Sequence, residues 1–188
     1  MTAPTTTAPS VPVRLLVLAA AGAAVAVLLG VYGEAHDPTA EQPYTLFFTG
    51  TIQLKVWFAT VAVVLALAQI LLAMRIYGKI TVPRTAPPWL GDAHRLTGTL
   101  AFLFSLPVAY HCLWALGFES TDTRVLLHSL FGCFFYGVFT IKVLSVRWHG
   151  LPGWTLPVVG GVLFAALVGL WTTSSLWFIT SRPGGPLF

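Results

Sequence analysis

Charge is scarce in this 188-residue chain: 9% of residues are Asp, Glu, Lys or Arg, while 56% are hydrophobic. A soluble domain carries about 25% charged residues, so the composition excludes a solvated globular surface. Carboxylates are the scarcest, with 6 Asp and Glu in all, and none lies inside a long apolar run. Proton-coupled transporters rely on buried carboxylates, so a pump or symporter is disfavoured. The two cysteines, Cys112 and Cys133, are too few for a disulfide scaffold and lack C-x-x-C spacing. They read as ordinary buried thiols. No H-E-x-x-H, G-x-S-x-G or P-loop occurs, which removes the hydrolase and nucleotide-binding classes those motifs mark. No soluble segment is present to hold a flavin or nicotinamide, so the chain is at most a redox subunit.

Long apolar runs dominate what is there. A membrane-spanning helix needs about 20 mostly apolar residues, and five stretches qualify, over about 13–32, 54–76, 95–118, 124–147 and 154–179. Backbone polar groups cannot stay unpaired in lipid, so these runs are expected to be helices. A β-barrel would need alternating segments of about 10 residues, and none is seen. The expected fold is an all-α integral membrane bundle of five helices over residues 13–180, flanked by a disordered Thr/Pro/Ala-rich tail at 1–12 and a short tail at 181–188. The first run exceeds the about 7–15 apolar residues of a signal peptide and is read as a retained anchor.

The formal charge of +4 does not point to nucleic acid, because the basic residues sit between apolar runs rather than on one amphipathic face. They mark topology instead. With a cytoplasmic N-terminus, Arg14, Arg75, Lys79, Arg84, Arg95, Lys142 and Arg147 lie inside, and Lys55, Arg124 and Arg182 outside. The positive-inside rule favours that arrangement, which puts the C-terminus outside a cytoplasmic membrane crossed several times. The first outer loop, with Glu34, Asp37 and Glu41, is acidic and suits a protein partner on the outer face or within a respiratory complex. Lys142 is expected to snorkel to the inner interface.

The five histidines sort by depth. His111 lies about two turns before the outer end of the third helix, and His128 about one turn after the outer start of the fourth. The short loop between those helices makes them antiparallel neighbours, so the two imidazoles are expected to be close within the hydrocarbon. Ionisable groups there are functional hypotheses by default. Neutral imidazoles on opposed helices suit axial ligation of a b-type haem. Gly132, one turn from His128, and Gly98 on the third helix would admit a flat cofactor, and Arg124 would pair with propionates at the surface. His94 and His149 form a second candidate pair at the inner side. The alternative for each histidine is a polar contact between helices. Copper delivery by His36, His111 and His128 is a third reading, without the Met or Cys cluster that copper(I) favours.

The stretches AHRLTGTLAFLFSLPVAYHCLWALGF, TRVLLHSLFGCFFYGVFTIKVLSVRWHGLPGW and LFFTGTIQLKVWFAT resemble an uncharacterised actinobacterial membrane-protein family of similar length. The resemblance spans nearly the whole chain beyond the N-terminal tail and carries no established activity. More distantly, helix-borne histidines opened by H-R-x-x-G look like the transmembrane domains of cytochrome b561 and ferric reductases. That likeness implies two haems held between four helices and electron transfer across the membrane. His94, His111 and His128 match ligand positions, and Lys142 stands where a fourth ligand is expected. The functional expectation is a small b-type cytochrome or electron-transfer subunit holding haem between His111 and His128, with quinone as the candidate second redox couple. The alternative is a cofactor-free accessory or assembly subunit of a membrane respiratory complex.

Overall fold

A computed structural model describes residues 10–39, 41 and 44–181. Five helices are long and apolar enough to cross a membrane: α1 Val11–Ala35, α2 Thr51–Ile76, α3 Leu90–Leu116, α4 Thr123–Arg147 and α5 Thr155–Ser181. Each has 25–27 residues. At 1.5 Å per residue that is about 40 Å, longer than the about 30 Å of bilayer hydrocarbon. No strand occurs among the described residues.

The helix bounds follow local chemistry. α1 starts at Val11, two residues earlier than expected, because Pro12 sits in the first turn, where its missing N–H removes nothing a helix needs. The rest of the expected N-terminal tail, residues 1–9, lies outside the described residues, as does the C-terminal tail from 182. α3 begins at Leu90 rather than 95: Asp92 occupies its first turn and pairs with Arg95, so a polar turn that hydropathy leaves out is helical. Asp122 caps α4 by accepting from the Val125 N–H at 2.9 Å.

The packing is inside out relative to a soluble bundle. Large apolar side chains face outward along the helices, Val64 being 61% exposed, as a lipid-facing surface requires. Small or polar residues fill much of the interior: Ala62, Ala166, Ser105, Ser145, Ser175 and Gln69 are buried. Helices in lipid gain by close backbone approach and interhelical hydrogen bonds rather than by apolar burial. α1 and α4 approach closely, backbone to backbone. A Cβ on Gly22 would lie 2.7 Å from the Gly137 carbonyl oxygen, and one on Gly137 would lie 2.6 Å from that of Gly22.

Helix order in space departs from the expectation. α3 packs along α2, and α4 packs along α1 and α5, but α3 and α4 do not pack closely against each other. The short connection makes them antiparallel without bringing their backbones together. Their gap is bridged by side chains instead. Phe102 of α3 stacks on Phe139 of α4 at 4.1 Å and 6°, and Ser105 Oγ of α3 lies 3.0 Å from Tyr136 Oη of α4. These bridges separate two cavities.

Candidate functional site

The first cavity, about 270 Å³, opens at the end of the bundle where α4 begins, here the Arg124 end. Its walls come mainly from α2, α3, α4 and α5 and are mostly apolar, with Lys55, Cys112, Glu119, Arg124, His128, Cys133 and Tyr136 as the groups that carry chemistry. Small-molecule sites of about 300–1,000 Å³ have this make-up, an apolar wall with a few polar groups.

Two π-helical segments flank it, His111–Leu116 in α3 and Thr172–Leu176 in α5. Such segments concentrate at functional sites. Each has a local cause. In α3, Pro107 lacks the N–H that would bond the Leu103 carbonyl. In α5, the run Thr172, Thr173, Ser174 turns its hydroxyls back on the helix: Thr172 and Thr173 donate to the Gly169 carbonyl at 3.0 and 2.7 Å, and Ser174 to that of Leu170 at 2.7 Å. Such back-bonding bends helices.

Thr173 organises the His128 side of the cavity. His128 Nδ1 lies 3.1 Å from Thr173 Oγ1. The threonine hydrogen is directed at the Gly169 and Leu170 carbonyls, so its oxygen accepts from Nδ1–H. The proton on Nδ1 leaves Nε2 as the lone-pair nitrogen of the neutral ring. The carbonyl of the same Thr173 accepts from Arg124 Nη1 at 2.8 Å. The Arg124 guanidinium sits 4.0 Å over the Trp177 ring, with Asp122 Oδ2 at 3.8 Å.

His111 is placed elsewhere. It is 2% exposed and is absent from the wall that His128 lines. Its Nδ1 meets the Pro107 carbonyl at 2.8 Å and its Nε2 the Tyr44 carbonyl at 2.9 Å. The expected meeting of His111 and His128 on one cavity is therefore corrected: α3 turns His111 toward the 36–50 connection. There His111 clamps Tyr44, whose ring packs edge-on against it at 4.6 Å. Burial, and then the neighbouring Tyr110, push the Tyr44 phenol above its ordinary pKa. His36 stacks on Tyr32 at 5.2 Å and lies against Trp114 at 4.7 Å. His36, His111 and His128 thus serve three separate environments, and the described residues hold no group of three or more His, Cys, Asp or Glu able to bind a metal ion.

Of the other expected residues, Gly132 lines the same cavity as His128. Gly98 does not. It borders a second cavity, about 190 Å³, toward the end where α3 begins, together with His94 and Lys142. His149 is outside both cavities; its carbonyl accepts from Arg14 Nη1 at 2.6 Å and ties α4 to α1. The structure does not bring His94 and His149 together on a cavity. Sequence reasoning missed two positioning residues. Thr173 was marked only by its place in the polar run Thr172–Ser175 within an apolar span. Gln69 was marked as the polar interruption of α2; its amide donates to the His94 carbonyl and to Thr97 Oγ1, joining α2 to α3.

These features define a multi-pass α-helical membrane protein with two cavities between α3 and α4. The chain belongs to DUF6529, a family of unknown function, whose model matches residues 15–183. It matches no curated protein and no solved structure.

Proposed function

We propose that this protein is a membrane electron-transfer subunit that binds a b-type haem in the cavity at the Arg124 end, with His128 as its protein ligand. The observation that carries the reading is the hydrogen bond from His128 Nδ1 to Thr173 Oγ1. Ligating histidines typically hold one nitrogen by such a bond, which fixes the tautomer and bares the other nitrogen for the metal. Arg124 at the cavity rim would meet propionates, and Gly132 leaves the His128 wall low. Bound there, haem would supply one-electron transfer, with its potential set by ligand and burial. His111, with both nitrogens facing carbonyls, is left out of the ligand set.

The positive-inside count supports a cytoplasmic N-terminus, a C-terminus outside, and residence in the cytoplasmic membrane. The haem cavity then faces the outer surface, beside the acidic 34–41 connection, where a redox protein partner would dock.

The test is optical. Protein expressed with ample haem precursor and purified in detergent is scanned oxidised and dithionite-reduced. A Soret and an α band that disappear in His128→Ala are expected. Their absence from the wild-type protein overturns the reading and favours a cofactor-free accessory subunit, for which the purely structural use of His111 already speaks.

A further inference from the structure

We propose that the second cavity, between His94 of α3 and Lys142 of α4, binds the headgroup of an isoprenoid quinone. The sequence leads one to expect Lys142 at the lipid interface. It lines the cavity instead, and no carboxylate pairs with it among the described residues. An ammonium placed in a span without a counter-charge is costly and offers three donors and no acceptor. Opposite it, His94 Nδ1 is buried without a hydrogen-bond partner. A buried polar atom left unpaired is costly, and with the proton on Nδ1 both groups are donors, so the pair asks for a ligand that brings acceptors.

The rest of the wall narrows the choice. No Asp or Glu lines the cavity, so nothing there selects a cationic ligand. A single Lys without Arg lacks the bidentate grip used for phosphate. The lining is otherwise largely apolar and aromatic, with Phe102 and Phe139 stacked face to face at its edge. Gly160 and Gly161 of α5 leave the opposite wall bare: a Cβ at either position would meet nothing within 4 Å. A flat ring with carbonyl oxygens and an apolar tail satisfies all of these terms. The Gln69 amide, bonded to the His94 carbonyl, holds the first turn of α3 against α2 so that the imidazole stays in the wall.

This inference rests on the redox reading for its biological sense, since a quinone at one end and a haem at the other would join the two halves of the membrane. Its test needs no haem. Decylubiquinone is titrated into protein in nanodiscs of neutral lipid, prepared from cells starved of haem precursor, and followed by quenching of tryptophan fluorescence. Saturable binding is expected, weakened about tenfold or more by Lys142→Met and by His94→Phe, and retained by Lys142→Arg. Unchanged binding in Lys142→Met and His94→Phe overturns the proposal. So does displacement of decylubiquinone by phosphatidylglycerol at equal membrane fraction, which would mark the cavity as a lipid headgroup site. Should the substitutions unfold the protein, an azidoquinone label on the wild type decides: adducts on peptides containing His94 or Lys142 support the site, and adducts only elsewhere overturn it. Failure here with haem bands present, or success with haem bands absent, separates this inference from the haem reading.

Discussion

Thr173 is bonded twice to α4: its hydroxyl oxygen lies 3.1 Å from His128 Nδ1, and its carbonyl lies 2.8 Å from Arg124 Nη1. His128 and Arg124 are one turn apart on the same face of α4, so one residue of α5 fixes both. Were His128 a mere contact between helices, Thr173→Val would cost little beyond one hydrogen bond. As the partner of a haem ligand, Thr173 should matter more. Thr173→Val is expected to weaken haem affinity about 10–100-fold, with Thr173→Ser restoring it. Haem titration of the apoprotein, read at the Soret band, measures this; equal affinity for wild type and Thr173→Val would sink the assigned role.

His111 gives the complementary prediction. Its nitrogens meet the carbonyls of Pro107 and Tyr44, so it joins α3 to the connection before α2. A neutral imidazole carries one N–H, and the Pro107 carbonyl also accepts the backbone N–H of residue 111, so His111→Ala removes one side-chain hydrogen bond, a loss of about 1–3 kcal/mol. Faster amide exchange at residues 44–50 and a lower melting temperature are expected, with the haem bands retained. Loss of the bands in a folded His111→Ala protein would return His111 to the ligand set.

The spans were legible because lipid imposes a length and a polarity on any helix that crosses it. Apolar runs therefore located all five helices to within a few residues. The ends slipped where a cap or a charged first turn, as at Asp92, extends a helix past its apolar stretch. Depth was legible in part: His128, Arg124 and Gly132 reach one cavity, but Gly98, expected beside them, lines the other with His94. Azimuth was not. Which way His111 faces depends on Pro107 and the π-helical segment that follows, and these rotate the end of α3 away from a regular 3.6-residue count. Nor could a short loop tell touching helices from helices held apart by Phe102, Phe139 and Tyr136. Thr173 remained hidden because a hydroxyl in an apolar helix usually bonds only its own backbone.

The crossing of α1 and α4 should be intolerant of side chains. The nearest atom to an added Cβ on Gly137 is the Gly22 carbonyl oxygen, at 2.6 Å, and backbone cannot rotate aside as a side chain can. Gly137→Ala is expected to destabilise by about 1–3 kcal/mol through overpacking, seen as a lower melting temperature in detergent. Gly160→Ala is the matched control within α5. Its Cβ meets nothing within 4 Å, and relief of glycine's chain entropy, about 0.5–1 kcal/mol, should leave stability equal or higher. Equal melting of Gly137→Ala and wild type would mean that α1 does not pack there.

Orientation decides which compartment each cavity serves, and single cysteines can report it. The background is Cys112→Ala with Cys133→Ala, which removes both native thiols. Thr121→Cys places a thiol in the exposed turn between α3 and α4, at the Arg124 end, and Lys79→Cys one in the exposed connection between α2 and α3, at the opposite end. With seven of ten cationic residues on the side of Lys79, the positive-inside rule sends that end to the cytoplasm. A membrane-impermeant maleimide added to intact cells should label the thiol at 121 and reach the one at 79 only after permeabilisation. The reverse pattern would turn the His128 cavity toward the cytoplasm. Its redox partner would then be a cytoplasmic protein, and the acidic 34–41 connection would face that same side.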